Sequence, residues 1–211
     1  MKQFFINNNS DKLILFFTGW GCDEFEFEHL KTSCDVLLFY DYTDLNHNFD
    51  FSKYSEINVL SFSAGVFVGS VFKYDFKINK KIALSGNPYL FDENLGLSKE
   101  IQKILFSITP ETQEEFVKNY LIFSDEEYKN FHPSGRTLES CQTEFEALKE
   151  IYQKEKNNIK DDYDYAVIGE YDKIFSPEAQ RKYYKTRLKT VRNARHNLFF
   201  QIKSYSDILK F

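Results

Sequence analysis

The apolar residues of this chain come in short bunches. The runs are KQFFIN near residue 3, KLILFF at 12–17, DVLLFYDY at 35–42, INVLSF at 57–62, KKIALSG at 80–86 and DYAVIGE at 164–170. Most are continuous rather than alternating, the pattern of central strands covered on both faces. The first two are separated by NNNSD, a turn-rich stretch that predicts a hairpin at one edge. Helix-like patterns fall between the runs, as in FEFEHLKT, VFVGSVFKY and SPEAQRKYYKTR. Strands alternating with helices predict an α/β fold: a mostly parallel central sheet with helices on both faces. Residues 98–157 break the rhythm, being charged, helical in pattern and free of clear strands. The expectation is one domain, with a core from residues 1–97 and 158–211 and a small helical lid inserted at 98–157.

Composition narrows this picture. A chain of 211 residues, 42% hydrophobic, is long enough to bury a substantial core in one domain. Phe, Tyr, Lys and Asn have AT-rich codons, which offers a reason for the many aromatics, so they are not read as a binding signal. A net charge of −5 argues against a general nucleic-acid binder. No apolar run approaches the roughly 18–20 residues that span a bilayer, and MKQFFINNNSDK lacks the longer apolar core of a signal peptide. Cys22, Cys34 and Cys141 are odd in number and widely spaced, with neither metal-ligand spacing nor a disulfide framework. A reducing cytoplasm, free thiols and no membrane association are expected.

The stretch NVLSFSAGVFVGS places Ser63 between a strand-like and a helix-like run. In open α/β sheets, ligands bind beyond the carboxyl ends of the strands. A nucleophile elbow is a sharp strand-to-helix turn whose small neighbours let strand and helix backbones approach. Gly65 fits the last small position of that pattern, and Ser61 stands where the first glycine usually is. Taken alone, S-x-S-x-G is also compatible with an ordinary turn.

The partners a serine nucleophile needs are found in the order Ser, acid, His. Of the four histidines, His29, His47, His132 and His196, only the last two follow Ser63. His132 falls in the helical insertion, beside Pro133 and Gly135. His196, in NARHNLF after the last strand–helix unit, is the better base. In DYAVIGEYDKIFSPEAQ, Asp172 lies just past a strand, and Ser176 with Pro177 opens a helix. Asp172 is the favoured orienting acid, with Glu170 and Asp164 as rivals. An oxyanion hole draws on the amide after the nucleophile, here Ala64, and on one from an early loop. That loop is FFTGWGCD, whose glycines free the backbone to turn its amides. Trp20 is the second donor, with Gly21 the nearest rival. Such a donor contributes about 3 kcal/mol to the transition state. Each piece has an ordinary structural reading by itself; the four in the correct order favour a serine hydrolase.

At this point the chain resembles a known family. LILFFTGWGCD, LLFYDYTDL, NVLSFSAGVFV, ALSGNPYLFDENLGL, GEYDKIFSPEAQ and ARHNLF resemble, in order and over nearly the whole chain, the BioG-type pimeloyl-[acyl-carrier protein] methyl ester esterases of biotin synthesis. These are small α/β-hydrolases, and a serine at the first small position of the motif is similar to that group. The insertion matches only in outline. The resemblance implies hydrolysis of the methyl ester of pimeloyl-acyl carrier protein to methanol and pimeloyl-acyl carrier protein. It implies Ser63 as nucleophile, His196 as general base and acid, Asp172 as orienting acid, and the Trp20 and Ala64 amides as oxyanion donors. No metal or organic cofactor is called for. The other readings are an esterase or thioesterase of different specificity, and an inert hydrolase-like scaffold.

The remaining expectations concern contacts. The Trp20 side chain and Phe62 flank the reactive positions and are candidates to line the acyl channel, with a core role equally open to Phe62. Residues 181–196, RKYYKTRLKTVRNARH, hold seven Lys or Arg and no acid. Such a patch would steer an acidic carrier protein, with Arg192 and Arg195 nearest His196. The bland alternative is a solvated helix and strand edge, or pairing with the protein's own acids. The insertion, including Arg136, is the competing docking surface. A monomer is expected.

Overall fold

The computed structural model describes residues 1–211. Seven strands form one sheet: β1 (Lys2–Ile6), β2 (Lys12–Phe17), β3 (Asp35–Tyr40), β4 (Glu56–Phe62), β5 (Lys80–Leu84), β6 (Tyr165–Gly169) and β7 (Leu188–Val191). They lie in the order β1-β3-β2-β4-β5-β6-β7. Every neighbouring pair is parallel except β1 with β3.

The expected hairpin of the first two strands does not form. β1 pairs antiparallel with β3, Phe4 opposite Leu38, and β2 lies between β3 and β4. The reason is burial. Leu13–Phe17 of β2 are buried throughout and need neighbours on both sides, whereas β1 is exposed or half-buried along its length and suits an edge. The NNNSD connection is stitched to the start of β3: the Asn8 and Ser10 amides donate to the Asp35 carboxylate.

Side chains of a strand alternate between faces, so each continuous apolar run feeds two cores. Leu13, Leu15, Phe17, Leu37, Phe39 and Val59 pack on one face against α1 (Ala64–Val71) and α5 (Leu138–Glu155). Ile14, Phe16, Leu38, Leu60 and Phe62 pack on the other face with Phe27, Leu198, Phe199 and Tyr205. That second face is covered largely by irregular chain and the short α7 (Tyr205–Ile208). FEFEHLKT, expected as helix, supplies only a 3-10 turn at Glu24–Phe27. Its buried apolar positions are only Phe27 and Leu30, less than the two turns an amphipathic helix buries, and Phe27 is drawn edge-on against Phe16 and Phe199.

Residues 98–157 contain helices joined by irregular chain, and no strand. They hold α2 (Lys99–Phe106), α3 (Pro110–Phe116), α4 (Asp125–Lys129) and α5, with a π-helical turn at Val117–Leu121. α6 (Pro177–Tyr184) carries the Ser176 cap and Pro177 at its start. It leads through a 3-10 turn into β7, a half-exposed edge strand. No helix is long and apolar enough to cross a membrane.

Candidate active site

Ser63 is the hinge residue between β4 and α1. Its φ of 55° and ψ of −121° lie where non-glycine residues rarely sit. Such a conformation costs about 1–3 kcal/mol and persists only where its surroundings over-determine it. Here the Ser63 amide donates to the Leu84 carbonyl at 2.9 Å, and the Ser63 carbonyl accepts from the Val66 amide at 3.0 Å. Gly65 explains the small residue two positions on. A Cβ there would stand 2.3 Å from the Phe17 carbonyl oxygen and 2.4 Å from that of Thr18, so only glycine lets α1 sit this close to β2.

Two further strand ends bring partners to the Ser63 hydroxyl. His196 Nε2 lies 2.9 Å from Ser63 Oγ, and His196 Nδ1 lies 2.9 Å from Asp172 Oδ2. A carboxylate only accepts, so Nδ1 carries the proton and Nε2 is left to accept from the serine. Asp172 is held by its other oxygen, which accepts from the Ile174 and Phe175 amides at 2.8 and 3.0 Å. The imidazole is sandwiched between Phe62 and a nearly parallel Phe175 ring. Asp172 and His196 are each 4% exposed.

The rivals are elsewhere. Glu170 accepts from the Asn193 amide, and Asp164 from the Lys81 amide at the opposite end of the sheet. His132 lines a separate small cleft with Asn130 and Phe200. His47 packs among Phe39, Phe51 and Phe72, and His29 contacts the Phe199 carbonyl.

The loop after β2 faces the elbow. The Gly21 amide donates to Glu144 Oε2 at 3.0 Å, while the Trp20 amide has no partner among the loop hydrogen bonds. Trp20 is half-buried; its Nε1–H donates to the Cys141 carbonyl at 2.6 Å, and its ring meets Phe145 edge-on. A cavity of about 130 Å³ opens beside Ser63. Trp20 and Phe62 line it from the core, and Leu105, Ile108, Val117 and Leu121 from the insertion. Phe62 is both lining and core, since it also packs against Phe27 and Phe199.

Glu144 and Arg136 are the residues the sequence reading missed in this role. Arg136, taken there as a surface cation, has a side chain only 5% exposed and bridges Glu144 at 2.5 Å and Asp41 at 2.9 Å. Burial pushes the Glu144 carboxyl upward, against the pull of Arg136 and two backbone amides. The available signal was spacing: Cys141, Glu144, Phe145, Leu148 and Tyr152 share the buried face of α5, so an acid stands in an apolar stripe. Of the candidate docking residues, Arg192 is exposed, whereas Arg195 donates to the Lys118 carbonyl in the π-helical turn. The Asn197 amide donates to Leu121 of the same turn at 2.9 Å.

The family profile of pimeloyl-ACP methyl esterase BioG matches residues 1–208. The chain belongs to the BioG family. Among solved structures, BioG from Haemophilus influenzae is similar over 99% of both chains, with a TM-score of 0.85 and 28% identity. An uncharacterized protein of Haemophilus influenzae is 30% identical over 192 residues, covering 89% of this chain and 88% of its own. A malonyl-[acyl-carrier protein] O-methyltransferase of Bacteroides fragilis is 29% identical over 176 residues. That match covers 80% of this chain but only 36% of the relative. A carboxylesterase of Nitrososphaera gargensis shares the fold, at a TM-score of 0.63 and 14% identity over 99% of this chain and 92% of that one. The fold is that of the α/β-hydrolases, as a BioG family member should have, and the family is one of esterases.

Proposed function

We propose that this protein hydrolyses the methyl ester of pimeloyl-[acyl-carrier protein] in biotin synthesis, with Ser63, His196 and Asp172 as a catalytic triad. The observation that carries the proposal is the hydrogen-bonded series Ser63–His196–Asp172 at the mouth of an apolar cavity, in a chain of the BioG family. His196 Nε2 takes the hydroxyl proton as Ser63 Oγ attacks the ester carbonyl. The Trp20 and Ala64 amides receive the oxyanion. His196 then returns the proton to the departing methanol. A water molecule, deprotonated by His196, hydrolyses the acyl-enzyme and frees the carboxylic acid. Ester and water are consumed, and acid and methanol are formed.

The apolar slot suits this substrate. A methyl-capped aliphatic chain is neutral along its length and enters without desolvating a charge. The product bears a carboxylate, which is costly to keep in such surroundings, so hydrolysis itself favours release. Residues 98–157 serve as the lid over the slot, and Trp20 and Phe62 contact the acyl chain. The acyl carrier protein stays outside, with Arg192 a candidate contact. The protein works in the cytoplasm as a monomer, and neither metal nor organic cofactor enters the steps above.

Genetic complementation tests the reading. In a bacterium lacking its own pimeloyl-carrier methyl esterase, this chain is expected to restore growth without biotin, and Ser63→Ala is not. Failure of a well-expressed wild-type protein to restore growth would contradict the biotin assignment.

A further inference from the structure

We infer that Glu144 is a positioning residue that sets the oxyanion hole from the helical insertion, by clamping the peptide between Trp20 and Gly21. The inference deepens the reading above and rests on its assignment of the Trp20 amide as an oxyanion donor.

Glu144 is 0% exposed. Its Oε2 accepts from the Gly21 amide at 3.0 Å and from Arg136 Nη1 at 2.5 Å; its Oε1 accepts from the Tyr42 amide at 3.0 Å. One carboxylate thus ties α5 to the loops after β2 and β3. The charges around it balance: Arg136 also meets Asp41, and Asp41 meets Lys2 at 2.9 Å. An apolar side chain at position 144 would fill the space but leave two buried amides without acceptors. Buried ion pairs alone are often no more stabilising than apolar packing, so it is the two backbone amides, one of them in the loop after β2, that call for an acceptor here.

The geometry of the loop supplies the reason. Gly21 has φ of +74°, and a peptide ahead of a glycine can turn over at low cost because glycine tolerates both signs of φ. Such a turn would swing the Trp20 carbonyl toward the place of the Gly21 amide and leave the adjoining Gly19–Trp20 peptide, which carries the donor N–H, free to shift. Glu144 opposes this, because a carboxylate accepts the amide but repels a carbonyl oxygen. The indole gives a second handle, since its Nε1–H is bonded to the Cys141 carbonyl one helical turn earlier on α5. Side chain and following peptide are therefore both held by α5, and the Trp20 amide is aimed by default. The clamp also occupies the Gly21 amide, which removes the rival donor. It follows that the oxyanion hole is complete only when α5 is seated on the core.

The test uses the full chain, with a short p-nitrophenyl ester as substrate and an alkyl trifluoromethyl ketone as inhibitor. Neither requires a carrier protein. The ketone binds as a hemiketal anion and so reports on the hole. Glu144→Ala is expected to lower kcat about 100-fold, the scale of losing one donor, with KM changed less than about threefold; the ketone inhibition constant should weaken in proportion to kcat/KM. Glu144→Gln keeps size and one acceptor oxygen, but its amide group cannot accept from the second backbone N–H. It is expected to lose about tenfold, and it decides the matter if the alanine variant does not fold. Unchanged kcat in a folded variant would overturn the inference. So would a loss confined to KM, or a kcat loss that leaves ketone affinity intact. Rapid hydrogen exchange at the Gly21 amide of the wild type would overturn it without any variant. A wild type that neither cleaves the ester nor binds the ketone would instead remove the hydrolase reading itself.

Discussion

The two loops that face each other across Ser63 are held in opposite ways. The elbow after β4 is fixed by the sheet itself, through backbone bonds to Leu84 and Val66 and the close approach at Gly65. The loop after β2 is fixed from outside the sheet, by Glu144 and the Cys141 carbonyl of α5. His196, the proposed base, is intermediate: Asp172 and Phe175 orient it from the end of β6, while Arg195 and Asn197 on either side of it reach Lys118 and Leu121 of the π-helical turn. The proposed nucleophile is therefore built into the core, whereas the loop that carries the proposed oxyanion donor is held by the helices of residues 98–157. An α/β core can keep its serine turn while an insertion adjusts how active that serine is.

Five changes would break or sharpen this contrast. The largest effect is expected from Asp172→Asn, which leaves the ring of His196 in place but favours the wrong tautomer. It should lower kcat by about 10⁴ on any ester, with little change in the melting temperature; a loss of tenfold or less would argue against the assigned acid. Next comes Gly65→Ala. Its Cβ would meet the Phe17 and Thr18 carbonyls at 2.3 and 2.4 Å, both in backbone that cannot move aside. A cost of about 3 kcal/mol is expected, seen as a fall in melting temperature of about 6–12 °C. A fully stable, active alanine variant would mean that the elbow is not held by the core.

The third change concerns Glu26, which lines the cavity beside Cys22. As a residue it is half-buried, but its carboxyl is withdrawn from water, and desolvation raises its pKa to about 8. In the unfolded chain the same group releases its proton near 4.5. Between those values the folded state binds the extra proton, so this residue makes stability fall as pH rises from about 4.5 to about 8, and the decline levels off above that. Urea unfolding across that range should show the decline in the wild type and a flatter profile in Glu26→Gln. Identical slopes would place the Glu26 carboxyl in water. The smallest effects are expected from the two arginines. Arg195→Ala breaks the bond to Lys118 and should lower kcat a few-fold on small and carrier-bound esters alike. Arg192→Glu should spare the small ester and weaken use of the carrier-bound one. Equal losses on both substrates for Arg192→Glu would remove it from the docking surface.

The contrast also explains what was legible beforehand. Ser63, Asp172 and His196 were readable because each follows a buried apolar run or lies in a short segment with local signals, such as the small residues around Ser63 and the Ser176–Pro177 helix start. β2 to β6 were visible as runs for the same reason. What escaped depends on distant partners. β1 looked like half of a hairpin because the sequence shows its turn but not the demand of β2 for two neighbours. The role of Glu144 escaped because its acceptors and donors come from Gly21, Tyr42 and Arg136, and because a glutamate within a charged helix draws no notice. Arg195 looked like a free surface cation, since nothing local reveals that its partner is a carbonyl of the insertion. β7 had no assigned bounds, since an edge strand with Lys189 and Thr190 exposed lacks an apolar run.

The most direct test of the proposed esterase is the product formed from methyl-pimeloyl-[acyl-carrier protein], resolved by mass spectrometry for wild type and Ser63→Ala. The account predicts that the wild type replaces the terminal methyl group by hydrogen and leaves the thioester to the carrier intact, while Ser63→Ala changes nothing. Release of the acyl chain from the carrier with its methyl ester retained, or an untouched carrier substrate beside rapid cleavage of simple esters, would contradict it.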